Sequence, residues 1–210
     1  MLSAFPHLGD ADFERACDGL QRRFQLKGSA QEDWLSVEKI HRNGTVYLNI
    51  TTHLPRPAGI PAVQDRDATE VDEVVEHDEE ALDTTVVPQP VVDYDVVLSQ
   101  VYRVPMLYIS IRDPQHRYPP TMTTLYEHLV PLQFKAQTEN VGVIGGITIT
   151  DHPATNRPVF FIHPCQTAGV MEASLDRNVT ADEYLMIWIG AMGKTVGLDV
   201  PLQLARPDDA

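Results

Sequence analysis

Basic charge is what this chain most lacks: 16 lysines and arginines face 30 aspartates and glutamates, for a net charge of −14. Binding to a phosphate backbone draws on a basic surface that releases counterions, so nucleic acid is excluded as the expected partner. Long apolar runs are missing too. None reaches the roughly 18 residues that cross a bilayer, and the opening MLSAFPHLGDADFERA has neither a basic stretch nor a long apolar core to export or anchor it. Cysteine is scarce. Cys17 and Cys165 stand far apart and match no disulfide framework, which points to a reducing, cytoplasmic setting.

What is present reads as globular: 43% of the residues are hydrophobic and 22% charged, in a 210-residue chain that fits one domain, 1–210. Much of the negative charge is local. From Asp65 to Asp83 there are ten acids against Arg66 alone. This run lies inside a proline-bounded stretch, 55–90, with no apolar period to bury, so it is expected to be a flexible insertion. A solvated tether is the simpler reading of it, an acidic docking loop the functional one.

Phe13, Ala16, Cys17, Leu20 and Phe24 recur at three- and four-residue intervals, which predicts a helix from Asp10 to Lys27 closed by Gly28. Cys17 falls on its apolar stripe and reads as a small buried hydrophobe. Trp34 to Ile40 and Val46 to His53 flank Asn43-Gly44, the dipeptide that best tolerates the positive φ angles of a tight hairpin. Alternation in the second segment suggests strands with one face on a core. Asp93 to Arg103 and Met106 to Arg112 read as two more strands, joined at Pro105. Thr124 and Glu127 suggest a capped short helix stopped by Pro131. Ile147 to Thr150 and Val159 to Ile162 read as short extended pieces of a loop-rich shelf, after the breaks at Gly142, Gly145 and Gly146. Thr180 and Glu183 open a closing helix that Gly197 ends. The expected class is α+β: a four-stranded antiparallel sheet flanked by helices.

Cys165 is the residue whose setting argues for reactivity. In VFFIHPCQTAGVM a β-rich run enters His-Pro, and the cysteine follows at once on non-regular chain, presented instead of packed. A nucleophilic cysteine works as its thiolate. His163, two positions before it, is a candidate base, orienter or scaffold. Taken alone, His-Pro-Cys leaves a structural cysteine equally open. A papain-like protease enlisting His152 lacks the flanking pattern, a zinc site of His152, His163 and Cys165 lacks a fourth ligand and any Cys-x-x-Cys pair, and a redox thiol lacks a nearby resolving cysteine.

The string HPCQTAGVM, His163 to Met171, resembles the active-site signature of the autophagy conjugating enzymes, in which His-Pro-Cys is followed shortly by Val-Met. VYRVPMLYI, Val101 to Ile109, resembles the Tyr-x-Val-Pro-x-Leu-Tyr strand of the branch that conjugates proteins. The two blocks lie in a region from about Tyr94 to Met192 that can be followed by eye; the first ninety or so residues match only in outline. The resemblance implies a ubiquitin-conjugating-like fold and a transferase. Such an enzyme accepts the ubiquitin-like modifier, autophagy-related protein twelve, from the activating enzyme, autophagy-related protein seven. It carries the modifier as a thioester on Cys165 and passes it to a lysine of autophagy-related protein five. No metal or organic cofactor is required, and the setting is cytoplasmic, with recruitment to sites of autophagosome formation. The lipid-conjugating sibling, autophagy-related protein three, is disfavoured by the acidic start without a basic amphipathic helix and by Gln166-Thr167 where it usually carries Lys-His.

Ordinary ubiquitin-conjugating enzymes have His-Pro-Asn several residues before the cysteine, the asparagine supporting the oxyanion, and this chain has no such Asn. Thr148, Thr150 and the amides near Gln166 are the substitutes on offer, Thr148 standing where the sibling shows a threonine. Tyr102, in the second matched block, is the candidate for positioning the acceptor lysine. Two other classes remain: a binding module that keeps the fold without the catalysis, and a stand-alone cysteine hydrolase.

Overall fold

The computed structural model describes residues 2–55, 88–139, 147–173 and 179–206. The acidic run Asp65 to Asp83 and the glycines 142, 145 and 146 lie outside the described residues.

Helix α1 (Asp10–Lys27) forms where the periodicity places it, burying Phe13, Ala16, Cys17 and Leu20 with Asp10 and Asp12 in its first turn, where carboxylates meet the positive end of the dipole. A short 3-10 turn, Gly28–Ala30, follows it. Strands β1 (Trp34–Arg42) and β2 (Thr45–His53) form the hairpin, and Asn43 (φ 50°) and Gly44 (φ 77°) supply the two positive φ angles of the turn. Strands β3 (Val91–Leu98) and β4 (Pro105–Arg112) extend the meander.

The third strand ends five residues earlier than its composition suggests. The Arg103 amide donates to the Ser99 carbonyl at 2.9 Å, the Tyr102 amide to the Ser99 hydroxyl at 3.1 Å, and Arg103 takes a positive φ of 54°. These bonds fold Ser99 to Val104 into a turn that holds Val101 and Tyr102 out in solvent.

Helix α2 (Met122–Thr124) is capped by Thr121, whose hydroxyl accepts from the Thr124 amide at 3.2 Å, not by Thr124 as the spacing to Glu127 suggested. It runs into a π turn, Leu125–Leu129, that buries both leucines, and helix α3 (Leu132–Glu139) follows, unforeseen because it shows no apolar stripe.

Among the described residues the sheet has six strands, not four. Strands β5 (Ile147–Asp151) and β6 (Pro158–Ile162) pair with each other, and β6 hydrogen-bonds to β4, giving the antiparallel order β1-β2-β3-β4-β6-β5. The segment read as a shelf is therefore sheet, because Leu107, Tyr108 and Ile109 of β4 offer it a free edge. Helix α4 (Thr167–Ala173), helix α5 (Ala181–Met192) and a short helical turn, α6 (Leu202–Ala205), follow among the described residues. At the start of α5 the Glu183 carboxylate accepts from the Thr180 amide at 3.2 Å and its hydroxyl at 2.9 Å, as the capping spacing requires. The α-helix itself stops at Met192; a 3-10 turn, Gly193–Val196, carries the run to Gly197.

One face of the sheet, with Leu48, Ile50, Tyr94, Val96, Leu107, Ile109, Phe160 and Ile162, packs against α1 and α5, whose Leu20, Tyr184, Leu185 and Trp188 are fully or nearly fully buried. Each such side chain contributes about 1.5–3 kcal/mol. The tyrosine hydroxyls are satisfied there: Tyr94 donates to Val196 O at 2.9 Å and Tyr184 to Pro6 O at 2.6 Å. The other face is not simply solvated, as alternation in β2 suggested. Tyr47, Val97, Tyr108 and Val159 form a second cluster closed by Ala154 from the β5–β6 connection.

Candidate active site

Strand β6 delivers the site. Phe160 and Ile162 point into the core, so Phe161 and His163 point to the opposite face. His163 keeps extended backbone (φ −69°, ψ 134°), as a residue before proline must, and Pro164 opens a 3-10 turn, Pro164–Gln166, that leads into α4. Thr167 and Met171 are buried and fasten α4 to the body of the protein, while Cys165 and Gln166 remain exposed. The sequence expected Cys165 on irregular chain. It sits instead on an ordered turn.

That turn is held by an imidazole. The Cys165 amide donates to Nδ1 of His163 at 3.2 Å. With the Nδ1 lone pair committed, the neutral ring carries its proton on Nε2. A histidine in this state has no free lone pair, so of the three roles the sequence left open, base is the one that would first require giving up the cap.

Aromatic edges fix the ring in turn. Tyr102 packs against His163 with centroids 5.5 Å apart and planes at 78°, and Phe161 does so at 6.1 Å and 79°. The contacts continue: Phe161 lies 4.9 Å from Tyr108, Tyr108 lies 5.2 Å from His152, and His152 lies 5.2 Å from Tyr47. The structure thus brings Cys165, His163 and Tyr102 together. Phe161 and Tyr108 belong to the same group and were missed. For Phe161 a signal existed, since it is two residues from His163 on a strand and shares its face. For Tyr108 none did, because its place opposite Phe161 depends on the β4–β6 register.

The remaining candidates sit elsewhere. Thr148, opposite Phe161 on β5, and Thr150 are both exposed, and among the described residues neither is hydrogen-bonded to Cys165 or His163. His152 is buried at 1% exposure; its Nδ1 accepts from the Ala154 amide at 3.1 Å and its Nε2 lies 3.3 Å from an Asp95 carboxylate oxygen. It belongs to the second cluster. Among the described residues no group of three His, Cys, Asp or Glu side chains is placed to hold a metal ion.

The family profile described as "Autophagocytosis associated protein, active-site domain" matches residues 12–203. The chain belongs to that family. It is 38% identical over 116 residues to the ubiquitin-like-conjugating enzyme ATG10 of Gibberella zeae, a match over 54% of this chain and 48% of that protein, so the chain spans about half that relative's length. To the ubiquitin-like-conjugating enzyme ATG10 of Homo sapiens it is 27% identical over 213 residues, 95% of this chain and 93% of that one. A solved structure titled "Crystal structure of Autophagic E2, Atg10" is similar at a TM-score of 0.43 and 13% identity, over 89% of this chain and 97% of that one, too loose a match to build on.

In this member of the autophagocytosis-associated family the two cysteines occupy opposite environments. Cys17 is fully buried, and burial pushes its thiol up to about 12. At pH 8 only about one part in ten thousand is thiolate, the reactive form. Brief iodoacetamide treatment at pH 8 is expected to alkylate Cys165 alone, and Cys17 only after unfolding; peptide mass mapping checks this, and early label on Cys17 would contradict its burial.

Proposed function

We propose that residues 1–210 act as a ubiquitin-like-conjugating enzyme of autophagy, in which Cys165 carries a ubiquitin-like modifier as a thioester and hands it to a lysine of an acceptor protein. The observation that carries the reading is an exposed thiol on a turn whose backbone is pinned by His163, in a chain of this family. The first step is thioester exchange. The Cys165 thiolate attacks the activated C-terminal carbonyl of the modifier, and the thiolate of the activating enzyme leaves. In the second, a neutral lysine amine attacks that carbonyl, the amine proton passes to solvent and Cys165 departs as thiolate. Catalysis then rests on holding thioester and amine in line, which a fixed turn serves. No cofactor enters either step.

His163 acts here as a positioning residue through the Cys165 amide, and Tyr102, exposed at the mouth of the site, meets the incoming acceptor. Thr148 is not required by this reading. The partners are those the sequence resemblance implies: autophagy-related protein twelve as modifier, protein seven as activating enzyme and protein five as acceptor, in the cytoplasm. No helix among the described residues is long and apolar enough to cross a membrane.

The test is a charging reaction with activating enzyme, modifier and ATP, run on reducing and non-reducing gels. A thiol-labile adduct is expected on wild type and Cys17→Ala and absent from Cys165→Ala. An adduct that survives in Cys165→Ala, or none on wild type, overturns the reading.

A further inference from the structure

At the end of the sheet where β3 turns into β4, a cleft of about 540 Å³ opens between the start of α1, the β1–β2 turn and the outer face of β4. We propose that this cleft receives the acceptor segment that flanks the target lysine, and that it selects segments in which basic residues accompany apolar ones. The inference rests on the conjugating role proposed above and adds to it the chemistry of the acceptor.

Three observations lead there. The first is composition: Phe13, Val46, Val97, Met106 and Tyr108 line the cleft with apolar surface, and the charged residues among its lining are Asp10 and Glu14, both acidic. Among the described residues no lysine or arginine lines it. The second is the state of one of those acids. Hydrogen bonds from Gln100 at 3.1 Å and Arg103 at 3.2 Å hold the Asp10 carboxyl below its ordinary value, so it stays ionised at neutral pH, and Glu14 adds a second acidic side chain to the same wall. An apolar floor beneath an ionised rim suits an aliphatic residue next to a cation and repels an acidic segment.

The third is the wall shared with the thiol. Gln100 lines the cleft from the Ser99 to Val104 turn, and two residues on, Tyr102 packs against His163, whose ring caps Cys165. Tyr108 lines the cleft as well, and touches Phe161, the other ring on His163. A chain lying in the cleft thus runs beside the residues that aim the thioester. The carboxylates serve the flanking residues, and the attacking amine itself is left without a counter-charge.

Two readouts test this, with 12-residue peptides of one central lysine flanked by Leu-Arg or by Leu-Glu steps. Fluorescence anisotropy on the uncharged chain reads the cleft without the chemistry. Single-turnover discharge of the purified thioester reads it with the chemistry. Wild type is expected to bind the Leu-Arg peptide at least tenfold more tightly than the Leu-Glu peptide and to discharge to it at least tenfold faster. Glu14→Lys and Gln100→Lys are expected to abolish both preferences, whereas Glu32→Lys, a control at the opposite end of the sheet, keeps them; melting curves confirm folding. Equal binding of the two peptides by wild type overturns the proposal whether or not a thioester forms. Preferences that persist in Glu14→Lys and Gln100→Lys overturn it too. So does a Glu14→Lys defect confined to charging, which would give the cleft to the activating enzyme or the modifier. If wild type forms no thioester but shows the binding preference, the conjugating role fails and the cleft stands.

Discussion

Cys165→Ser is expected to convert a labile adduct into a durable one that goes nowhere. Charged by the activating enzyme, the serine oxygen would hold the modifier as an ester, which survives thiol reductant but is cleaved by mild alkali. Transfer to lysine should then fall by at least about a thousand-fold, ~4 kcal/mol on the barrier, because the leaving group becomes an alkoxide in place of a thiolate. The turn geometry is the same for either residue: the cap runs from the backbone amide to His163 and leaves the side chain free. A slow step in Cys165→Ser therefore reports leaving-group chemistry alone. Single-turnover discharge, followed on gels that separate ester from thioester, measures it. Transfer at the wild-type rate would show that the departing group is not at position 165.

Two glycines near the end of α5 should respond to alanine with opposite signs. Gly197, at φ 76°, closes a Schellman motif in which the Leu198 amide donates to Gly193 O at 3.0 Å and the Gly197 amide to Lys194 O at 3.4 Å. That closure brings the Leu198 carbonyl so near Gly193 that an added Cβ would run into it, with Leu198 Cβ a further 3.1 Å contact. Neither is the free end of a flexible side chain, so Gly193→Ala should cost about 3 kcal/mol or more. Gly190 lies inside α5 with nothing within 4 Å of its notional Cβ, and Gly190→Ala should gain up to about 1 kcal/mol from helix propensity. Urea melts of the two variants, each against wild type, decide it. Equal shifts of one sign would mean that the motif at Gly193 has room the structure does not show.

How far the sequence reaches depends on whether a signal is local. α1 and the Asn43-Gly44 turn were legible because a period and a turn dipeptide carry their own physics, and the Thr180–Glu183 cap because its two partners are three residues apart. The fifth and sixth strands were read as extended pieces but not as sheet, since only β4, some fifty residues earlier, makes them strands. The early end of β3 was hidden by Val101, Tyr102 and Val104, strand-forming residues that the Ser99 bonds bend into a turn. At the site, Cys165 and His163 were found through adjacency and Tyr102 through family resemblance. What sequence left open was which histidine nitrogen faces the backbone, a matter of a rotamer set by Tyr102 and Phe161.

The way β6 carries the site also limits what can happen to its length. Phe160 and Ile162 go to the core, Phe161 and His163 to the far face, and Ile162 is paired with Leu107 on one side and Ile147 on the other. Inserting or deleting one residue between Val159 and His163 would exchange the two sets, turning the imidazole toward the helices and two core residues toward water. Individual residues along this stretch can change and leave the thiol where it is. The number of residues cannot, so chain length here is under tighter constraint than identity.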